Sequence, residues 1–127
     1  MNLLIDTQAI LWFIEGDQRL GRNARTAIEK KANTCFISMA SWWEIAIKVR
    51  LNKLGLEIPL KEFIRRREAE GFRTLDIQAD HVSGLTTLPL HHRDPFDRLI
   101  IAQARQDGMS ICTCDDAFRE YDVRVIW

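Results

Sequence analysis

Short apolar segments alternate with amphipathic segments along the whole chain, and this alternation restricts the fold more than any other feature. Segments such as Asn2–Ile5, Thr34–Ile37 and Ser110–Thr113 have the length of buried strands. The segments between them have helical periodicity and helix start signals, such as Asp94 followed by Pro95. Strands that alternate with helices favour a parallel sheet covered by helices. The sequence therefore predicts an α/β fold.

The predicted elements follow one another without a repeat, a low-complexity stretch or a linker. The predicted strands are Asn2–Ile5, Thr34–Ile37, Phe72–Leu75, Ser110–Thr113 and Val123–Ile126. The predicted helices are Thr7–Ile14, Gly21–Lys31, Met39–Leu51, Leu60–Glu70, Ala79–Thr86, Pro95–Gln106 and a short helix at Asp116–Glu120, with a loop at Leu88–Arg93. A chain of 127 residues with 46% apolar residues is expected to form one domain, residues 1–127.

The overall charge and hydropathy narrow the function classes. The chain has 18 basic and 18 acidic residues, so it has no general electrostatic attraction to nucleic acid, and any RNA binding needs a local patch or a metal ion. No apolar run approaches the roughly 20 residues of a membrane helix. The apolar start lacks a basic region and carries Asp6 early, which favours a strand and a helix over a signal peptide. No membrane association is expected.

The cysteines indicate a reducing compartment. Cys35, Cys112 and Cys114 are odd in number and form no C-x-x-C pair. Buried reduced thiols of a cytoplasmic protein are the main interpretation, and a zinc site or a disulfide is the alternative. Cys112 and Cys114 would share one face of a strand.

Four acidic residues stand where the predicted elements converge. Asp6 follows the first strand directly, and Asp115 follows the Ser110–Thr113 strand. Glu44 and Asp97 lie in the first turns of two helices. In a parallel sheet, the carboxyl ends of the strands and the amino ends of the following helices share one edge, where ligands bind. The four acids are therefore expected to meet there.

Each acid also has a purely structural interpretation. Asp6 and Asp115 are suitable N-caps. Ser41 and Glu44 fit a capping box, and Asp97 favours the helix dipole after an Asp94 cap. Four carboxylates at one edge, however, repel one another and cost stability unless a cation lies among them.

The helical faces support the inward direction of two of these acids. Asp97 shares its face with Ile101 and Ala104, which should pack on the sheet. Glu44 shares its stripe with Ile47 and Leu51, and the same inward direction is predicted for it.

Carboxylates without histidine or cysteine partners favour Mg²⁺ or Mn²⁺ over Zn²⁺. Such a site can activate a water, orient it in line and offset the charge of a phosphate. The chemistry that this pattern predicts is phosphodiester hydrolysis.

The chain resembles the PIN-domain family over nearly its whole length, and most of all the toxins of VapBC-type toxin–antitoxin systems. Four segments in order carry the resemblance: N-L-L-I-D-T, I-S-M-A-S-W-W-E-I-A-I-K, L-P-L-H-H-R-D-P-F-D-R-L-I-I-A-Q-A and I-C-T-C-D-D-A-F. The resemblance implies a PIN-like, three-layer α/β/α fold with a central, mostly parallel sheet of about five short strands.

The resemblance also implies a function. The family's acidic quartet maps onto Asp6, Glu44, Asp97 and Asp115 as catalytic residues and metal ligands, with Asp6 and Asp97 most secure. It implies a Mg²⁺- or Mn²⁺-dependent endoribonuclease acting on RNA as the toxin of such a system. It further implies a homodimer that a cognate VapB-like antitoxin silences by covering the active site.

Several accessory residues keep two interpretations each. Thr113 fits a hydroxyl that orients a carboxylate or a water, and Asp116 is a substitute for Asp115. Arg98 could pair with a carboxylate or phosphate, or form a surface or dimer salt bridge. His92, with His91 before it, could contact RNA or transfer a proton, or make a helix-entry hydrogen bond.

Two further stretches also have two interpretations each. The Arg65–Arg67 stretch could be a solvated face or steer RNA. Adjacent Trp42 and Trp43 cannot both face inward, so one is expected at a dimer or antitoxin surface, with base stacking as the alternative.

Two other function classes are alternatives to a metal-dependent endoribonuclease. A haloacid-dehalogenase-like phosphatase needs a second acid two residues after Asp6, where Gln8 stands, and a receiver domain needs paired acids and a late lysine that are not evident. A non-catalytic PIN-like module that binds RNA or protein is the other alternative, and it predicts no stabilisation by metal.

Overall fold

The computed structural model describes residues 1–127 and contains a five-stranded sheet with the strand order β3-β2-β1-β4-β5. The strands are β1 (Asn2–Ile5), β2 (Thr34–Ser38), β3 (Arg73–Leu75), β4 (Ser110–Cys112) and β5 (Val125–Ile126). Every neighbouring pair is parallel. The predicted α/β class and the predicted number of strands are therefore confirmed.

Six α-helices connect the strands. They are α1 (Thr7–Glu15), α2 (Arg22–Glu29), α3 (Met39–Arg50), α4 (Leu60–Ala69), α5 (Ala79–Gly84) and α6 (Pro95–Asp107), and a 3₁₀ helix follows at Asp116–Glu120. Each predicted element is present, with its ends within two residues of the prediction. None of these helices combines the length with the apolar character that crossing a bilayer requires.

The central strand β1 separates two apolar cores. Leu3 and Ile5 point to one face, where they pack with buried residues of α1 to α4. Leu4 points to the other face, where it packs with α6 and the 3₁₀ helix. Successive side chains of a strand alternate between faces, and full burial of all three explains why β1 is a continuous apolar run. The sheet therefore lies between two helical layers, as predicted.

The start and end signals of α6 act as the sequence indicated. The Asp94 carboxylate accepts a hydrogen bond from the Asp97 backbone N–H at 3.0 Å, and Pro95 occupies the first turn. Gly108 ends the helix at a φ of 66°, a conformation that glycine adopts without strain. Ile101 and Ala104 are buried as predicted, so this face of α6 packs on the sheet.

Two expectations about α3 are wrong. The N-cap is Ser38, whose hydroxyl accepts from the Ala40 N–H, because β2 leads directly into the helix. Ser41 is instead fully buried inside the first turns, so the capping box with Glu44 does not form. Ile47 and Leu51 are exposed, and their stripe is an outer face of α3 rather than a core face.

Two surface expectations also need correction. Cys114 is exposed, because β4 ends at Cys112 and the chain turns away before Cys114 could share its face. All three cysteines are free. Arg67 is buried rather than solvated: its guanidinium lies over the Phe63 ring at 4.8 Å and pairs with Glu70.

A buried polar contact joins the two layers near the carboxyl edge of the sheet. The Ser38 hydroxyl donates to Gln103 Oε1 at 2.6 Å, and both residues are fully buried. The contact links the start of α3 to the middle of α6. It therefore fixes the position of the Glu44 helix relative to the Asp97 helix.

We expect Gln103→Leu to lower the free energy of unfolding by about 1–3 kcal/mol, because the buried Ser38 hydroxyl loses its acceptor while the volume is kept. Urea denaturation measures the difference. Gln106→Leu on the exposed side of α6 is the matched control and should change stability by no more than about 0.5 kcal/mol. Equal losses in both variants would contradict this role for Gln103.

Candidate metal centre

Asp6 lies at the junction of β1 and α1 and is buried, with 7% of its surface exposed. Its Oδ1 accepts from the Ala9 backbone N–H at 2.7 Å, so it caps α1 as one interpretation predicted. The Thr113 hydroxyl also donates to its carboxylate. A buried carboxylate with two neutral donors is held in one orientation and still carries its full charge when ionised.

Glu44 reaches the same edge of the sheet from α3. Its Oε1 accepts from the Thr7 hydroxyl at 2.7 Å, and its Oε2 lies 3.2 Å from the Lys48 ammonium one turn later. Thr7 follows Asp6 directly in the chain. The carboxylates of Asp6 and Glu44 therefore both accept hydrogen bonds from the first turn of α1, from Ala9 and from Thr7.

Asp97 and Asp115 approach each other from α6 and from the turn after β4. The Nε2 atom of His92 lies 3.0 Å from Asp97 Oδ2 and 2.8 Å from Asp115 Oδ2. Asp115 also caps the 3₁₀ helix through the Ala117 N–H, as predicted, and its own N–H donates to Thr113 Oγ1. Thr113 thus connects the Asp115 turn to the Asp6 carboxylate.

The electrostatics show that the four acids share one environment. The pKa of Asp6 is raised from 3.8 to about 6, mainly by burial and in smaller part by the charges of Glu44 and Asp115, while the hydrogen bonds from Thr113 and Ala9 oppose the rise. Burial also raises the pKa of Asp97 to about 7, followed by the charge of Asp94 and then those of Asp6 and Glu44, whereas His92 lowers it. The structure therefore brings the four predicted carboxylates together, and we call them the carboxylate cluster.

The accessory residues separate into two groups. Thr113 and His92 contact members of the carboxylate cluster. Asp116 points into solvent with 97% of its side chain exposed and lies near Arg119. The Arg98 guanidinium donates to the backbone carbonyls of Leu88, Pro89 and His92, so it holds the loop before α6 and contacts no carboxylate.

Three residues near the cluster were not predicted as part of it. They are Thr7, Lys48 and Tyr121. The position of Thr7 beside Asp6 and the i,i+4 spacing of Lys48 from Glu44 were available signals. The role of Tyr121, which accepts from the His92 N–H, depends on a contact between residues 29 positions apart, and no local pattern indicates it.

The donor chemistry of the carboxylate cluster fits a divalent cation. Burial and like charges make the ionised forms of Asp6 and Asp97 costly, and a cation among them would reverse this cost. Carboxylate oxygens are the ligands that Mg²⁺ and Mn²⁺ prefer. Oxygen atoms of Asp97 and Asp115 and a nitrogen of His92 all lie within 4.8 Å of one another. These residues are thus close enough to surround one ion.

A family model described as the PIN domain matches residues 3–124 of the chain. The chain belongs to the PIN-domain family. It is also 31% identical over 121 residues to Ribonuclease VapC22 of Mycobacterium tuberculosis (strain ATCC 25618 / H37Rv), covering 94% of this chain and 92% of that protein. The matched range, residues 3–124, includes every member of the carboxylate cluster.

Solved structures agree with this assignment at the level of the fold. VapBC2 from Rickettsia felis, bound to a DNA fragment from its promoter, is similar with a TM-score of 0.73 and 15% identity, covering 98% of this chain and 97% of that chain. VapC20 of M. tuberculosis, a sarcin–ricin loop cleaving toxin, is similar with a TM-score of 0.65 and 19% identity, covering 96% and 98%. The PIN-like fold is therefore confirmed.

The raised pKa values predict how the stability of the metal-free PIN domain depends on pH. Asp6 and Asp97 bind protons more tightly in the folded chain than in the unfolded chain, whose pKa is near 3.8. The folded state therefore holds more protons between pH 3.8 and about 7, and this contribution to stability is lost as the pH rises through that range. In EDTA, we expect a higher melting temperature at about pH 5.5 than at about pH 7.5, by roughly 4 °C per kcal/mol.

Asp6→Asn and Asp97→Asn provide the controls for this measurement. Asparagine caps a helix as well as aspartate does, so α1 keeps its cap. Each variant should melt higher than the wild type at about pH 7.5 in EDTA and show a weaker pH dependence, because one repelling charge is gone. A pH dependence equal to that of the wild type in both variants would show that ionisation of these two carboxylates does not lower the stability of the folded state.

Proposed function

We propose that this PIN domain is a divalent-metal-dependent endoribonuclease that hydrolyses RNA phosphodiester bonds. The observation that supports the proposal most is the carboxylate cluster itself, in which Asp6 and Asp97 bear pKa values raised by burial and by the charges of neighbouring acids. Asp6, Glu44, Asp97 and Asp115 are the proposed catalytic and metal-binding residues, and Mg²⁺ or Mn²⁺ is the proposed ion. The similarity to Ribonuclease VapC22 supports RNA as the substrate.

The side chains have distinct roles in this proposal. A bound divalent ion would offset the charge of the scissile phosphate and make a water more acidic. Asp6 and Asp97 supply the main ligands, and Glu44 and Asp115 complete the site directly or through waters. Ala9, Thr113 and Thr7 donate to Asp6 and Glu44, which keeps both oriented before substrate binds. Water attacks the phosphorus, the P–O bond to the leaving ribose oxygen breaks, and the proton released by the water passes to a carboxylate and from there, through solvent, to the leaving oxygen, which becomes a hydroxyl.

The structural relatives support a toxin that is controlled by an antitoxin in the cytoplasm. Similar solved structures include VapBC2 from Rickettsia felis and a toxin–antitoxin complex from Klebsiella pneumoniae. A groove that contains no member of the carboxylate cluster lies between α1 and α4, lined by Leu11, Ile14, Phe63 and Arg66 among others. An apolar groove away from the acids fits a partner segment better than an RNA phosphate. The proposed partner is a VapB-like antitoxin.

The proposed toxin is a homodimer whose subunits meet at α3. Four apolar residues are exposed along this helix at intervals of four, namely Met39, Trp43, Ile47 and Leu51. This spacing places them on one side of the helix, where they form a continuous stripe. Trp42 is buried and Trp43 is exposed, which confirms the expectation that only one of the pair faces inward. An exposed apolar stripe of this length is typical of an interface.

We expect Asp97→Asn to reduce the rate of RNA cleavage in Mg²⁺ or Mn²⁺ by at least about 100-fold, since even the loss of an outer partner of a metal ligand costs 10–100-fold. Gel analysis of a labelled RNA measures the rate. Asp116→Asn is the matched control, because it makes the same charge change at an exposed side chain, and it should cleave at the wild-type rate.

Equal cleavage by the Asp97 variant and the wild type would refute the proposed site. A wild type that neither cleaves RNA nor melts higher with Mn²⁺ than with EDTA would favour a non-catalytic module. The two results are distinguishable in the same set of samples.

The α3 stripe provides a separate prediction about assembly. Introducing two charges with Ile47→Glu and Leu51→Glu should produce a monomer in sedimentation or light scattering, because burying either carboxylate at an apolar interface is costly. Val82→Glu changes an equally exposed apolar residue on α5 and should leave the dimer intact. A dimer that survives the double substitution would place the interface elsewhere.

A further inference from the structure

Three contacts hold His92 in addition to those of its Nε2 atom, one through its backbone and two through its ring. The backbone N–H of His92 donates to the Tyr121 hydroxyl at 2.8 Å. The ring packs edge-on against the buried Phe118 ring, with 5.7 Å between centroids. Its Nδ1 atom accepts from the Asp94 backbone N–H at 3.1 Å. With 15% of its side chain exposed, the ring has little freedom to turn.

The contact with Asp94 decides which ring nitrogen carries the proton. A backbone N–H can only donate, so Nδ1 must offer its lone pair and carry no proton. The proton of the neutral ring is therefore on Nε2. Nε2 faces two carboxylate oxygens, Asp115 Oδ2 at 2.8 Å and Asp97 Oδ2 at 3.0 Å, and both can accept. The hydrogen bonds at the two ends of the ring thus agree on one tautomer.

We infer that His92 is a positioning residue that holds Asp97 and Asp115 through its Nε2–H, and that it is not itself a metal ligand. This inference rests on the proposed nuclease function. The distances alone would permit His92 to join the two acids around an ion. A protonated Nε2, however, has no lone pair to give to a cation. Moving its proton to Nδ1 would place two N–H groups against each other at Asp94.

The arrangement has a direct consequence for the carboxylates. Asp97 lies on α6 and Asp115 on the turn after β4, and one N–H spans the two. Asp94 supports both His92 and Asp97. Its backbone N–H sets the tautomer of His92, and its side chain caps the helix that carries Asp97. Such outer partners orient metal-binding carboxylates and raise metal affinity. The ligands from the protein would then all be oxygen atoms, which suits Mg²⁺.

Two spectroscopic measurements test the tautomer and the absence of a metal–nitrogen bond. Long-range ¹H–¹⁵N correlation spectra of the wild type should show Nε2 protonated and Nδ1 unprotonated, both in EDTA and with Mg²⁺. Electron spin-echo spectra of the Mn²⁺-loaded protein should show no directly bound histidine nitrogen. Loss of the Nε2 proton on adding Mg²⁺, or a nitrogen coupling that disappears in His92→Gln, would overturn the inference.

Variants test the positioning role. His92→Phe keeps the packing against Phe118 and removes the donor, and we expect Mn²⁺ affinity by calorimetry to fall about 10–100-fold. His92→Gln places an amide N–H at a similar reach and should restore most of the affinity. A merely structural role would lower the melting temperatures of both variants while leaving the Kd for Mn²⁺ unchanged. His91→Phe, at the exposed neighbouring position, is the matched control and should bind Mn²⁺ like the wild type.

The same samples separate failure of the inference from failure of the function. If the wild type binds Mn²⁺ and cleaves RNA, and His92→Phe does both equally well, only the positioning role is refuted. If the wild type does neither, the proposed function is refuted and the positioning role with it. If His92→Phe does not fold, the spectra of the wild type and the affinity of His92→Gln still decide the question.

Discussion

The burial of the carboxylate cluster, together with repulsion between its members, is the cost around which the carboxyl edge of the sheet is built. Parallel pairing of β1, β2 and β4 brings Asp6, Glu44 and Asp115 to one edge whether or not their charges are compatible. The start of α6 adds Asp97. The apolar burial of the two cores holds these elements in place, so the cost appears at Asp6 and Asp97, whose pKa values rise, rather than in the backbone.

The neighbours of the cluster orient the charges and neutralise few of them. Asp6 has an N–H and a hydroxyl as partners, and His92 Nε2 forms a hydrogen bond with Asp115 and lies 3.0 Å from Asp97 Oδ2. A lysine ammonium, that of Lys48, lies beside Glu44. Neutral donors fix geometry without cancelling charge. The site is therefore ordered yet still favours a cation, which is the combination that a nuclease of this kind needs.

The features predicted from the sequence are those that depend on local periodicity and on the geometry of parallel sheets. The strand β1, the caps at Asp6 and Asp94 and the meeting of the four acids all follow from short-range patterns. The features that were missed depend on contacts between remote residues. Burial of Arg67 requires Phe63 and Glu70 to cover it, and the tautomer of His92 depends on the fold of the loop before α6. The predicted bounds left Ser38 alone between β2 and α3, but its cap was missed because Ser41 and Glu44 have the spacing of a capping box.

The aromatic pair at the rim of the cluster links two surfaces that look separate in the sequence. Trp43 precedes Glu44 and Phe96 precedes Asp97, and the two rings meet edge-on with 5.1 Å between their centroids. Any molecule that covers the outer face of α3 therefore presses on residues that adjoin two of the acids. A change on that outer face that moves Trp43 against Phe96 would therefore also move the residues that carry two of the acids, which couples partner binding to the geometry of the site.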